Sequence, residues 1–282
     1  MIERPGKSVE RRIFRYDGVE SHSAFDSIVT EEPLEIRLFA AGDTRTLAVT
    51  MRTPGNDFEL AAGFLFTEGI IDSIDDIVEI TYCTDSAVEI EQRYNIVNVA
   101  LRFGKLPDMS RFERHFTVNS SCGVCGRANL DELRERIEPI QDDVTVTFET
   151  VASLPHRMRE AQHVFDTTGG LHAATLFSND GELLCLREDV GRHNALDKLI
   201  GWALTNRRSM KGSVLFVSGR ASYEILQKAA VARIPVVCSV SAPSSLAVDL
   251  ADTFNVTLAG FVRGQTANIY SMPQRVLAQQ PL

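Results

Sequence analysis

The chain has 282 residues, enough for one large domain or two ordinary ones and too long to need disulfide or metal staples. Hydrophobic residues make up 44% and charged residues 24%, an ordinary globular balance, and no apolar run reaches the roughly 18 residues of a membrane helix. The formal charge of −9 argues against non-specific nucleic-acid binding, which rests on a basic surface neutralising phosphates, and leaves room for a local basic pocket.

The opening MIERPGKSVERRIFRYDG is charged throughout and has no apolar signal-peptide core; it reads as a flexible arm leading into a cytoplasmic protein. EPLEIRLFAAG and TRTLAVTMRTPG alternate in strand fashion and end in Gly or Pro-Gly turns. Asp57 is placed to cap FELAAGFLFTEGII, whose apolar residues recur at helical spacing. DIVEITYC, AVEIEQRY and NIVNVALRF read as further strands, so residues 1–116 form a small α+β domain. Residues 117–148 hold a cysteine loop and RANLDELRERIEPI, a polar amphipathic helix ended by Pro139.

From residue 149 to 282 strand and helix alternate. SLPHRMREAQHVF reads as a helix, and HAATLFS and ELLCLRED as a hairpin joined by Asn-Asp-Gly. Helices RHNALDKLIGWALTN, SYEILQKAAVAR and SLAVDLADTF then alternate with strands SVLFVSG, PVVCSVSA and TLAGFV. This order predicts a three-layer α/β sandwich and resembles the cytidine deaminase fold. Hydrolytic deamination itself is improbable, because a zinc deaminase needs a His- or Cys-x-Glu motif and a Pro-Cys-x-x-Cys pair at two helix starts, where this chain has VGRHN and SGRAS.

The five cysteines (83, 122, 125, 185 and 238) include one close pair, in SSCGVCGR. An odd count with no framework fits a reducing compartment. Zinc needs four ligands, usually from a second pair, and neither the other cysteines nor His115 supplies it. A thioredoxin-like dithiol needs a strand running into the pair, and none is apparent. Inert packing is the bland reading, against which stand the flanking Gly123 and Gly126 of a bent loop. Covalent carriage of sulfur needs a thiolate, favoured here by a following helix N-terminus and by Arg127. Spacing alone does not choose among these.

Four strand ends carry small or basic residues: EDVGRHN (188–194), SGRAS (218–222), SAPSS (241–245) and GFVRGQT (260–266). Ligands of open α/β sheets gather at the carboxyl ends of strands. Glycine and hydroxyl residues let backbone N–H groups approach a phosphate, and Arg192, Arg220 and Arg263 supply charge. Any one such loop is more often simple punctuation; three arginines together point to an anionic, nucleotide-like ligand. His172 and His193 are candidates for proton handling or ligand binding, set against the commoner structural histidine.

Taken together, TPGNDFELAAGFLFTEGII, SSCGVCGR, TGGLHAATLF, EDVGRHNALDKLIG, SGRASYEILQKAA, VSAPSSLAVDLA and LAGFVRGQTANIY resemble the formate dehydrogenase accessory sulfurtransferase family (FdhD), over about residues 30 to 275. The resemblance implies a sulfur carrier that accepts a persulfide from a cysteine desulfurase and passes sulfur to the bis(molybdopterin guanine dinucleotide) form of the molybdenum cofactor. That cofactor is a bound substrate destined for formate dehydrogenase, and a guanine nucleotide can mimic it. It implies Cys122 as carrier and Cys125 as its assistant. It also implies a cofactor-binding segment at Phe261, Val262, Arg263, Gly264, Gln265 and Thr266, the last a position where family members often carry a basic residue. Arg192 and Arg220 are added as ligand contacts from the residue reading. A homodimer is implied as well, with no resident metal, nucleic acid or membrane partner. The alternative is a non-catalytic cofactor-binding chaperone.

Overall fold

Apolar residues at every second position of EPLEIRLFA and NIVNVAL make one face of each segment bury while the other stays polar. The structure, a computed structural model, describes residues 6–104, 106, 130 and 133–278. In it β3 (Glu32–Ala40), β4 (Asp43–Arg52), β5 (Ile77–Tyr82) and β6 (Ile96–Leu101) form a four-stranded sheet in the order β4-β3-β6-β5. Leu34, Ile36, Leu38, Val97 and Val99 point from it onto Leu60, Ala61 and Leu65 of helix α1 (Asp57–Thr67).

The second unit is a six-stranded sheet. Its strands are β8 (His172–Phe177), β9 (Leu183–Asp189), β10 (Val214–Val217), β11 (Val236–Ser239), β12 (Thr257–Arg263) and β13 (Thr266–Ser271), in the order β13-β12-β11-β10-β8-β9. β10, β11 and β12 are parallel, while β8 is antiparallel to both β9 and β10. Strands β9 to β12 therefore all run one way and end at one edge. Alternate residues face opposite layers. Leu176, Leu215, Val237 and Leu258 pack on α4 (Arg192–Thr205), α5 (Tyr223–Val231) and α6 (Ser245–Thr253). Phe177, Phe216, Cys238 and Ala259 pack on α2 (Phe148–Ala161). The short β7 (Val146–Thr147) pairs with β14 (Val276–Leu277).

The two units meet where α1 crosses α4, and glycine permits the approach. A Cβ built on Gly63 would lie 1.9 Å from the Asp197 carbonyl oxygen, and one on Gly201 would lie 1.8 Å from that of Glu59. The layers thus run four-stranded sheet, α1, α4 with α5 and α6, six-stranded sheet, α2.

Four expectations need correction. The opening segment is not a loose arm: β1 (Ser8–Tyr16) pairs with β2 (Ser21–Val29) over nine residues, with Phe14, Tyr16 and Phe25 exposed. AVEIEQRY is not a strand; Ile90–Asn95 form a 3-10 helix leading into β6. Asp57 is not the cap of α1: Asn56 is, in the left-handed region at φ 58°, and the Asp57 carboxylate is taken by buried Arg52. The helix read over 153–165 is two, α2 and α3 (His163–Thr168), broken at Gln162.

Candidate functional site

Four loops open at the edge where β9 to β12 end, as the alternation of strand and helix requires. Because β8 runs against β10, its first residue, His172, sits at the same edge, opposite Asp189 at the end of β9. The N-termini of α4, α5 and α6 open here too, and helix N-termini favour anions.

On the β12 side, Gly260 and Arg263 bracket a bulge in the ladder to β13. Phe261 occupies the left-handed region at φ 52°, rare for a bulky residue and a place where folds store strain near function. Its N–H donates to the Ser241 carbonyl at 3.2 Å. Arg263 Nε donates to the Val240 carbonyl at 3.3 Å, and its guanidinium lies 6.0 Å from the Phe261 ring. Gly264 turns the chain at φ 53°, and Thr266 Oγ1 closes the turn on the Arg263 carbonyl at 3.0 Å. Val262 is buried, whereas Phe261, Arg263, Gly264, Gln265 and Thr266 are exposed. A basic, aromatic, outward-facing turn is thereby held against the 240–243 loop.

On the β8–β10 side lies a second group. Gly219 brings bare backbone under His172 and Arg192: a Cβ there would meet His172 Nδ1 at 3.4 Å and Arg192 Cδ at 3.8 Å. Arg192 Nε is buried and has no hydrogen-bond partner among the described residues. Burial first, then the charges of Arg192 and His193, push the His172 imidazolium down in pKa, with Asp189 opposing. His193 Nε2 lies 3.5 Å from Ser222 Oγ and 3.6 Å from Glu224 Oε2. The His193 ring beside it is the chief reason the Glu224 carboxyl falls to about 2. Serine and carboxylate face the same ring nitrogen, so this is no nucleophilic relay, in which they would engage opposite nitrogens. Arg220 is exposed at the same strand end. The structure thus gathers Arg192 and Arg220 over β9 and β10 and residues 261–266 over β12 and β13. The two groups share an edge: β10 and β12 stand two strand spacings apart, about 10 Å, and β9 and β12 four, about 19 Å, at ~4.8 Å per spacing.

Much of EDVGRHNALDKLIG serves neither group directly. Asp189 Oδ2 receives Lys198 Nζ at 2.6 Å and the Thr53 N–H at 3.1 Å, and its Oδ1 receives the Gly191 N–H at 2.8 Å. Lys198 also donates to the Thr53 carbonyl at 2.8 Å, and Asn194 Nδ2 to the Met51 carbonyl at 2.7 Å. Lys228 Nζ meets Asp197 Oδ2 at 3.0 Å, Glu68 Oε1 at 3.0 Å and Thr67 Oγ1 at 2.9 Å. Arg187 forks onto Glu59 at 2.6 and 2.8 Å. These contacts clamp the four-stranded unit to the loop that carries Arg192 and His193. Sequence reading missed Glu224, Ser222, Asp189 and Lys198. The available signal was the Asp197-Lys198 pair inside an otherwise apolar helix, since buried charges are nearly always paired.

Cys122 and Cys125 lie outside the described residues. Cys83, Cys185 and Cys238 are buried and free, and burial pushes the thiols of Cys185 and Cys238 up to about 12. No cluster of three or more His, Cys, Asp or Glu residues suited to a metal occurs among the described residues. Among them, no helix is long and apolar enough to cross a membrane.

Fold and edge together define a mixed α/β protein with two sheets joined through a helix–helix seam and an anion-friendly strand edge. The chain belongs to the FdhD/NarQ family, whose model matches residues 29–277. It is 52% identical over 278 residues to the sulfur carrier protein FdhD of Streptomyces coelicolor, covering 96% of each chain. To the sulfur carrier protein FdhD of Mycolicibacterium paratuberculosis it is 49% identical over 269 residues, covering 94% of this chain and 97% of the relative. It also resembles a crystal structure of a protein assigned as a formate dehydrogenase accessory protein from Desulfotalea psychrophila. That match has a TM-score of 0.75 and 26% identity, covering 96% of this chain and all of the other.

Proposed function

We propose that the protein is a persulfide sulfur carrier that serves the maturation of a formate dehydrogenase. The observation that carries this reading is the state of the cysteines. Cys83, Cys185 and Cys238 are buried, and two of these thiols are held up near 12, so neither forms the thiolate that sulfur exchange requires at neutral pH. The family resemblance implies Cys122 as the carrier with Cys125 assisting, and the burial of the other three cysteines supports that reading. Full-length similarity to proteins named sulfur carriers supports the same reading.

The Cys122 thiolate attacks the terminal sulfur of a cysteine desulfurase persulfide. The donor's S–S bond breaks, the donor cysteine leaves as a thiolate, and Cys122 becomes the persulfide. In delivery, the Cys125 thiolate attacks Cys122 Sγ. A Cys122–Cys125 disulfide forms, the terminal sulfur leaves as sulfide to the molybdenum centre, and an external dithiol reduces the disulfide. Mo-bis(molybdopterin guanine dinucleotide) is bound as substrate by residues 261–266 with Arg192 and Arg220, whose charge and backbone N–H groups suit its phosphates. The protein works as a cytoplasmic homodimer. The strand order β9-β8-β10-β11-β12, with three helices on one face and α2 on the other, supports a cytidine-deaminase-like assignment for the C-terminal unit.

Intact-protein mass spectrometry after incubation with a cysteine desulfurase and cysteine tests the carrier. The expected result is a gain of one sulfur, removed by reductant and lost in Cys122→Ala. Absence of any gain in the wild type, with a donor verified as active, would leave the non-catalytic cofactor chaperone as the reading.

A further inference from the structure

We propose that the edge over β8 and β10 is a second anion subsite, in which Arg192 and His172 hold a phosphate or pyrophosphate group of the bound ligand and His172 takes up a proton as the ligand binds. This rests on the reading of the ligand as a guanine dinucleotide, and it divides ligand recognition between two stations of one edge.

Several independent features converge there. Arg192 Nε is a buried donor with no partner among the described residues, and a buried unsatisfied group in a native fold calls for a missing partner. Gly219 leaves open, beside His172 and Arg192, the space that any Cβ would fill. Arg192 is the first residue of the 14-residue α4, and Ser222 is the N-cap of the nine-residue α5. The His193–Ser222 contact joins these two helix starts, and Ser222 makes no side-chain capping bond of its own. The His172 imidazole and the Arg192 side chain thus flank the Gly219 backbone beside the starts of α4 and α5, donors of the kind found around a phosphate. Glu224 stands on the His193 side, its Oε2 3.6 Å from His193 Nε2.

The proton follows from the same geometry. His172 faces Arg192 and His193 on α4, Asp189 on β9 and the Gly219 backbone after β10. Asp189 is already engaged by Lys198, Gly191 and Asn194. In the free protein the imidazolium is disfavoured by burial first and then by the Arg192 charge beside it. An arriving anion neutralises Arg192 and offers an acceptor, which favours the imidazolium and raises the His172 pKa. Binding is therefore accompanied by proton uptake, and that part of the affinity grows as pH falls through the raised pKa of the bound state.

Calorimetric titration of the full chain with guanosine diphosphate and with inorganic pyrophosphate, at pH 7 in buffers of different ionisation enthalpy, reads both affinity and proton count. The expected result is net proton uptake by the wild type and its loss in His172→Asn. Arg192→Gln should weaken both ligands about tenfold or more, and Arg263→Gln should weaken chiefly the nucleotide. The ligand's own ionisation near pH 6 is common to all proteins and cancels in the comparison. Unchanged affinity in a folded Arg192→Gln protein, or equal proton counts in wild type and His172→Asn, would overturn the subsite while nucleotide binding through residues 261–266 still stood. Should Arg192→Gln fail to fold, the absence of proton uptake in the wild type overturns it alone. A wild type that binds neither ligand at millimolar concentration also overturns it, and the persulfide measurement then judges the carrier separately.

Discussion

Lys198 and Lys228 are ammonium groups buried between two units, and each exists only because a carboxylate meets it. Lys198 is 1% exposed against an Asp189 that is fully buried, so neither charge has water to fall back on. Removing one partner of such a pair leaves the other uncompensated and costs about 3–5 kcal/mol. Lys198→Met is therefore expected to lower the unfolding free energy in urea by about 3 kcal/mol or more. Adding Asp189→Asn should recover part of that loss rather than deepen it, because the two sites share one interaction. The partner's identity was not readable from the chain. Asp189 and Lys198 stand nine positions apart along it, and a strand, a turn and a helix start have to fold before their side chains meet. Arg192 was readable as a cation near a strand end; the burial of its Nε without a partner among the described residues was not.

At the scale of elements, the α1–α4 crossing has the tightest glycine contacts among the described residues. Both glycines sit where a neighbouring carbonyl oxygen lies inside 2 Å of any added carbon, so a methyl group must push two helices apart. Such overpacking costs about 1–3 kcal/mol and sometimes more. Gly201→Ala is expected to lower the melting temperature by about 5–10 °C, while Gly104→Ala, with open space around its site, should leave it within about 2 °C. The comparison is a pair of thermal melts followed by circular dichroism. Apolar periodicity made α1, α4, β3, β6 and the strands of the larger sheet legible. It failed at β1 and β2 because SVERRIFRY and SHSAFDSIV bury no continuous face and owe their extended form to each other's backbone. It failed at AVEIEQRY because a four-residue alternation does not distinguish a strand from one turn of 3-10 helix.

Across the whole molecule, charged groups of the larger unit reach over to the smaller one. Asp189 and Lys198 both bond the Thr53 backbone, Lys228 bonds Thr67 and Glu68, and Arg187 forks onto Glu59. Separation would break all of these contacts and open the glycine seam, so the two units should unfold as one. Urea unfolding followed by far-UV circular dichroism and by fluorescence of Trp202, the chain's single tryptophan, is expected to give coincident transitions. Two separated transitions would show that the units unfold independently despite the seam. The sequence by itself determined the alternation of strands and helices after residue 149, the small-residue and arginine-bearing strand ends, the cysteine pair and the family, because these are properties of local order and residue type. Only the tertiary structure decided that β9 to β12 end at one edge with His172 beside them, and that much of EDVGRHNALDKLIG clamps the first unit instead of touching a ligand. It also decided that the arginine-bearing strand ends stand as two groups along that edge, Arg192 and Arg220 in one and residues 261–266 in the other. Strand order and long-range pairing bring those residues together, and neither is encoded in the spacing of residues along the chain.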